Sequence, residues 1–298
     1  MSTVGELADR TLREFLRPPD DQPVVLTLTD SVISADTTFN YDDSTLAPDE
    51  EELVAPGVII EVGIEQCRVT DVDYDANTLT VIRGVNGTSP AAHAIGAEVT
   101  VSPAFTRGAV VEAIYDNVVG LYPSLWHLAT EELTVSAGPV EVPAELITPV
   151  RAIWQPGGTR WSNAPVPDLL DPFPPSDTGK AVQFYAIPPD YKVHLTYRSK
   201  FARPSQQSDD LNNFGVEQEW ERIVAIGAAA QVVALRPSDD LTVEYITQQL
   251  EREAAPPGTA NDVRNSLLVL RDLWLREASA ALRADQSQAV LYNPTIRR

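Results

Sequence analysis

Apolar residues along this chain switch between a helical and a strand period. Near the start, Leu7, Leu12, Phe15 and Leu16 recur at helical spacing, and Thr3 with Glu6 has the T-x-x-E spacing of a capping box. A short amphipathic helix over 1–17 is predicted, stopped by Pro18 and Pro19. Val24 to Leu28 reads as a strand, followed by a polar, acidic connection to about Leu53. From about Val54 to Val101 the period is two. The run Gly57 to Gly63, then Gln66 to Val72, Thr78 to Ile82 and Ala97 to Val101 read as strands. Asp75-Ala-Asn77 and Gly84-Val-Asn-Gly87-Thr88 supply the turns, with Asn-Gly suited to positive φ. This module is expected to be a small barrel or a sandwich.

Helical spacing returns with Val110, Val111, Ile114, Val118 and Leu121, between Pro103 and Gly120. A second β-rich section follows, clearest at Tyr191 to Arg198. It holds a Pro-rich loop between Gln155 and Lys180 that is expected to be a contact loop, with Trp154, Trp161 and Phe173 as its interface residues. The last third predicts three helices. The first spans Val216 to Leu235, the second starts at Ser238 and carries Leu241, Tyr245, Ile246 and Leu250, and the third runs from about Asn261 to Asp285. The expected organisation is an N-terminal helix (1–17), an acidic loop and small β module (18–102), a central helix (103–127), a second β-rich section (128–205), a C-terminal helical bundle (206–287) and an extended arm (288–298). The fold class predicted is α+β, with a helical-bundle body made of the N-terminal, central and three C-terminal helices, and two β-rich modules at its periphery.

Charge narrows the functional classes. Of 298 residues, 43 are acidic and 22 basic, a net charge of -21, which repels polyanions and argues against grasping nucleic acid by its phosphates. No Lys or Arg occurs from Pro18 to Cys67. No apolar run reaches the roughly 20 residues of a membrane helix, and Met1 to Arg17 is charged where an export signal would be apolar.

Candidate chemistry is sparse. One Cys, Cys67, forms no internal disulfide, and no CxxC or HxxxH spacing suggests a metal. Asp71-Val-Asp73-Tyr-Asp75-Ala-Asn77 opens like a calcium loop, but Ala76 stands where Gly is needed and Ile82 where the bidentate Glu belongs. Gly179-Lys180 is followed by Ala181, not Ser or Thr, and no G-x-S-x-G occurs. His93, His127 and His194 read as surface or packing residues. No catalytic residue, metal or cofactor is predicted. With 43 acids some carboxylates lie close by chance, so a carboxylate-dependent hydrolase is the alternative from another class.

The segment Leu79-Thr-Val-Ile-Arg83-Gly84-Val-Asn-Gly87-Thr88-Ser-Pro-Ala-Ala-His93-Ala-Ile-Gly96-Ala-Glu-Val resembles a module of tailed-bacteriophage structural proteins: a T-L-T-V strand, R-G-x-x-G-T, an Ala-rich stretch with a His, and a Gly before the next strand. Trp220 with the small residues Ala225 to Ala230, further helices and a free C-terminal arm resemble head-to-tail adaptors of the phage neck. The resemblance implies a non-enzymatic virion protein, assembled in the bacterial host cytoplasm into a ring of about a dozen copies. Its implied partners are the portal protein, a downstream neck or tail protein, and DNA that passes through without specific binding. The arm Leu291, Tyr292, Pro294, Ile296, Arg297 and Arg298 would dock on the portal. A minor tail or baseplate protein is the alternative within the virion.

Overall fold

The computed structural model describes residues 2–16, 24–42, 53–103, 105–156, 161–173, 179–234 and 260–291. Their contacts divide the chain into two compact units: Gly5–Ile114 with Ala225–Leu270, and Met1–Val4 with Tyr115–Val224 and Arg271–Arg298.

The first unit contains a closed barrel of six antiparallel strands: β1 (Val25–Leu28), β2 (Thr38–Asp42), β3 (Ile59–Val62), β4 (Glu65–Asp73), β5 (Thr78–Ile82) and β6 (Glu98–Val101). Around the barrel they run β1-β2-β5-β4-β3-β6, and β6 returns to β1. Alternate side chains turn inward, and Leu26, Leu28, Phe39, Tyr41, Ile60, Val62, Cys67, Val69, Leu79, Val81, Val99 and Val101 form the core. Closure leaves no unpaired edge. At Thr70 the register of β4 shifts against β5, and the Thr70 hydroxyl donates to the Thr80 carbonyl at 3.0 Å. Such a bulge sharpens the local twist that a small barrel needs.

The second β-rich section lies in the other unit. A four-stranded sheet has the order β10 (Ser162–Ala164), β9 (Leu146–Trp154), β13 (Lys192–Ser199), β7 (His127–Thr134). A three-stranded sheet has the order β11 (Asp168–Leu170), β12 (Ala181–Gln183), β8 (Val140–Glu141). Leu133, Leu146, Ala152, Val193, Leu195 and Tyr197 share one apolar cluster with Val142, Val182, Phe184 and Ile187.

The described helices are α1 (Val4–Thr11, continued by a wider turn over Leu12–Leu16), α2 (Arg107–Val119), α3 (Gln218–Ala234) and α4 (Ala260–Leu291). The predicted helical-bundle body is therefore corrected. The described residues contain four helices beside thirteen strands, and the strands enclose a barrel core and an inter-sheet core of their own. Helical spacing in the last third does mark α3 and α4, but it marks helices and not a body built from them. The helix expected from Ser238 falls outside the described residues. The acidic connection is also corrected: it contains β2, whose Phe39 and Tyr41 face inward while Thr38 and Asp42 stay exposed. β2 pairs with both β1 and β5, so it links the first strand to the rest of the barrel wall.

Phe39 is fully buried. Phe39→Ala is expected to destabilise the fold by about 3–5 kcal/mol, read as a lower denaturation midpoint in urea. An unchanged midpoint would remove β2 from the core.

Candidate functional site

The residues that resemble the phage module sit where β5 leaves the barrel wall. Gly84 has φ of 64°, a tight turn covers Val85–Gly87, and Asn86 has φ of 54°. A side chain at Gly84 would meet Pro90 Cδ at 2.8 Å, so both backbone angle and space require glycine there. The turn is fastened to β4. The Thr88 hydroxyl accepts from the Gln66 N–H at 3.0 Å, and the Asn86 amide donates to the Gln66 side-chain oxygen at 2.7 Å.

Beneath this turn lies a buried ion pair. Arg83 Nε donates to Glu65 Oε1 at 2.6 Å and Nη2 to Oε2 at 2.6 Å, with side-chain exposures of 5% and 0%. Nη1 donates to the carbonyls of Ile33 at 3.0 Å and Asp36 at 2.9 Å, and Nη2 also to the Ala91 carbonyl. All five guanidinium N–H groups are thus used. The guanidinium also lies 4.9 Å from the centre of the Phe39 ring. The Glu65 carboxylate accepts further from the Ala91 N–H at 3.0 Å, and it meets His93 Nε2 at 2.8 Å and Cys67 Sγ at 3.3 Å. His93 and Val32 exchange backbone hydrogen bonds of 2.8 and 2.9 Å. The loop after β1, the start of β4 and the segment after β5 are joined at one point.

Electrostatics follows from this packing. Burial alone would raise the Glu65 carboxyl above its ordinary 4.5, but hydrogen bonds from Arg83, Ala91, His93 and Cys67 outweigh it and bring the group to about 2. Burial and the neighbouring Glu65 charge push the Cys67 thiol up to about 12, where it is no nucleophile at neutral pH. The chemistry available here is holding: the guanidinium has no spare donor for a ligand, and a carboxylate near 2 is a poor base.

A groove of about 780 Å³ in the same unit is lined by Asp9, Arg13, Glu61, His93, Thr100 and Arg107, among others. Its charges also answer one another. Glu61 accepts the first N–H groups of α2, from Arg107 at 2.8 Å and Gly108 at 3.3 Å, where a carboxylate suits the helix dipole. Arg107 Nε donates to Asp9 at 2.7 Å.

The interface residues expected in the Pro-rich loop are not brought together. Trp154 packs edge-on to Tyr191 at 5.3 Å beside the inter-sheet core, Trp161 is 41% exposed and meets the His194 ring at 4.2 Å, and Phe173 is half-buried with its N–H on the Gly179 carbonyl. Of the arm, Leu291 is the last residue of α4, and Tyr292, Pro294, Ile296, Arg297 and Arg298 lie outside the described residues. Asp73 ends β4, and its carboxylate accepts from the Asp75 and Ala76 N–H groups of the turn; among the described residues no cluster of three or more His, Cys, Asp or Glu could hold a metal. Trp220 is buried and stacks edge-on with Phe201 at 5.9 Å.

Glu65 and the pairing role of His93 were missed from the sequence. The available signal was parity: Glu65 shares the inward phase of Cys67 and Val69, and a buried carboxylate demands a cation. Between Pro18 and Thr106 only Arg68 and Arg83 could supply one.

No protein-family model matches the chain, and no curated protein matches its sequence. Among the described residues no helix is long and apolar enough to cross a membrane.

The folded Glu65 carboxyl lies below its ordinary value, so its contribution of about 3 kcal/mol is full above about pH 4.5 and is lost as pH falls toward 2. Glu65→Gln is expected to cost about 3–5 kcal/mol at pH 7, since it leaves Arg83 buried without a counter-charge. The gap from wild type should narrow in urea melts taken toward pH 2. A gap that stays constant with pH would show that charge is not what matters there.

Proposed function

We propose that the chain is a structural protein of a tailed-phage virion, a head-to-tail adaptor that joins the portal to the tail in an oligomeric ring and continues the DNA channel. The observation that carries this reading is the segment resembling the phage module, Leu79 to Val99. It forms the wall strand, the glycine turn and the Arg83 lock of a closed barrel, a rigid scaffold suited to mechanical work. The net charge of -21 supports it too, because a channel that passes DNA should not bind it.

A minor tail or baseplate position is the second reading. It is favoured by the two β-rich sections, whose thirteen described strands stand beside four described helices, since the neck adaptors that the chain resembles are mostly helical. A hydrolase reading has less support. The deeply buried carboxylate Glu65 is held as an anion at neutral pH by the Arg83 pair, with no role left for it as an acid or base.

Capture on purified portal rings tests the leading reading, using the full chain and a version ending at Gln288. The full chain should bind and the truncated one should not. Binding by neither would move the protein down the tail, and binding by both would take the anchor away from the arm.

A further inference from the structure

We propose that the outer face of the β10-β9-β13-β7 sheet is a docking surface whose occupant is the acidic β4–β5 hairpin of a second copy of this chain. The inference rests on the ring reading above and names the surfaces that would make the ring. Strand alternation places Lys192, His194, Thr196 and Arg198 of β13 outward, opposite Thr134, Glu132, Thr130 and Leu128 of β7. On the other side of β13, Ile153 and Arg151 lie opposite His194 and Thr196, and Asn163 of β10 lies opposite Ile153. Among the described residues, Arg151, Lys192 and Arg198 thus share one face with one carboxylate, Glu132, in a chain where acids outnumber bases 43 to 22. That carboxylate meets both Lys192 and His194.

The face also carries the side chains that anchor interfaces. Trp161 covers His194 while remaining 41% exposed, Leu128 is 54% exposed, and the Arg198 guanidinium lies 4.9 Å from the centre of the Trp126 ring. Exposed tryptophan and arginine, here Trp161 and Arg151, are among the residues that contribute most to protein contacts.

Charge complementarity selects the occupant. The barrel offers the opposite surface: Asp71, Asp73 and Asp75 are exposed toward the tip of the β4–β5 hairpin, with Tyr74 at 48% exposure among them, and Ile82, opposite Arg68 farther along the hairpin, is 52% exposed. Its two arginines are unequal, since Arg83 is inside the lock and only Arg68 faces out. One copy therefore carries a cationic, aromatic face and an anionic hairpin bearing exposed apolar side chains. Two different patches on one chain make a heterologous contact, the kind that generates rings.

A charge exchange tests this. One variant is Arg151→Glu with Lys192→Glu, and the other is Asp71→Lys with Asp75→Lys, all at exposed positions. Sedimentation velocity over a concentration series should show wild-type association that weakens with salt. Each variant alone should associate at least about tenfold more weakly, and an equimolar mixture should recover it, because each variant then meets an opposite charge. Thermal melting by circular dichroism checks that both fold. If the glutamate variant does not, Arg151→Gln with Lys192→Gln replaces it and should also weaken association. A wild type that stays monomeric throughout, or folded variants that associate as wild type does or show no recovery on mixing, overturns the proposal. A chain that binds portal rings yet fails this exchange loses only the head-to-tail contact. One that passes the exchange but misses the portal loses only the adaptor reading.

Discussion

A buried ion pair is the constraint around which the barrel end is organised. Removing a carboxylate and a guanidinium from water costs several kcal/mol each, and the fold tolerates it only when every lone pair and N–H is answered. Here Glu65 and Arg83 form a two-pronged pair, and the remaining Arg83 donors go to the carbonyls of Ile33, Asp36 and Ala91. The loop between β1 and β2 and the segment after β5 are fixed to the start of β4 by one side chain. Gly84 follows Arg83 because the chain must turn at once, against Pro90, to bring Ala91 and His93 back over the carboxylate.

That arrangement bears on function through what it leaves free. Arg83, Glu65, Cys67 and His93 are committed to one another, and the barrel's exposed acids, Asp71, Asp73 and Asp75, are carried on the frame that they lock. The opposing cationic face belongs to the other β-rich section. The proposed virion role rests on contact and on charge, which these two surfaces supply.

Much of the β module was legible because each strand there buries one face. Thr78 to Ile82 alternates cleanly, and Asn77, Gly84, Asn86 and Gly87 all take the positive φ that their residue types favour. β2 was not legible because its signal is only two apolar residues, Phe39 and Tyr41, inside an acidic stretch whose outward positions are set by solvent. The helical body was over-read for the opposite reason. Apolar spacing reports that a helix buries a face, as Trp220, Ile223 and Val224 do, but it does not report what covers that face or how much of the chain is helical. Glu65 was hidden because a lone acid on a strand looks like a solvent position until its parity is compared with Cys67 and Val69.

Amide hydrogen exchange on wild type and Arg83→Lys tests the central role of the pair most directly. Lysine keeps the charge but loses the fork that reaches Ile33, Asp36 and Ala91. The Val32 and His93 N–H groups, bonded to each other's carbonyls across the lock, should lose protection far more than Val69, whose N–H bonds to the Val58 carbonyl in the barrel wall. Equal protection of Val32 and His93 in the two proteins would contradict the account.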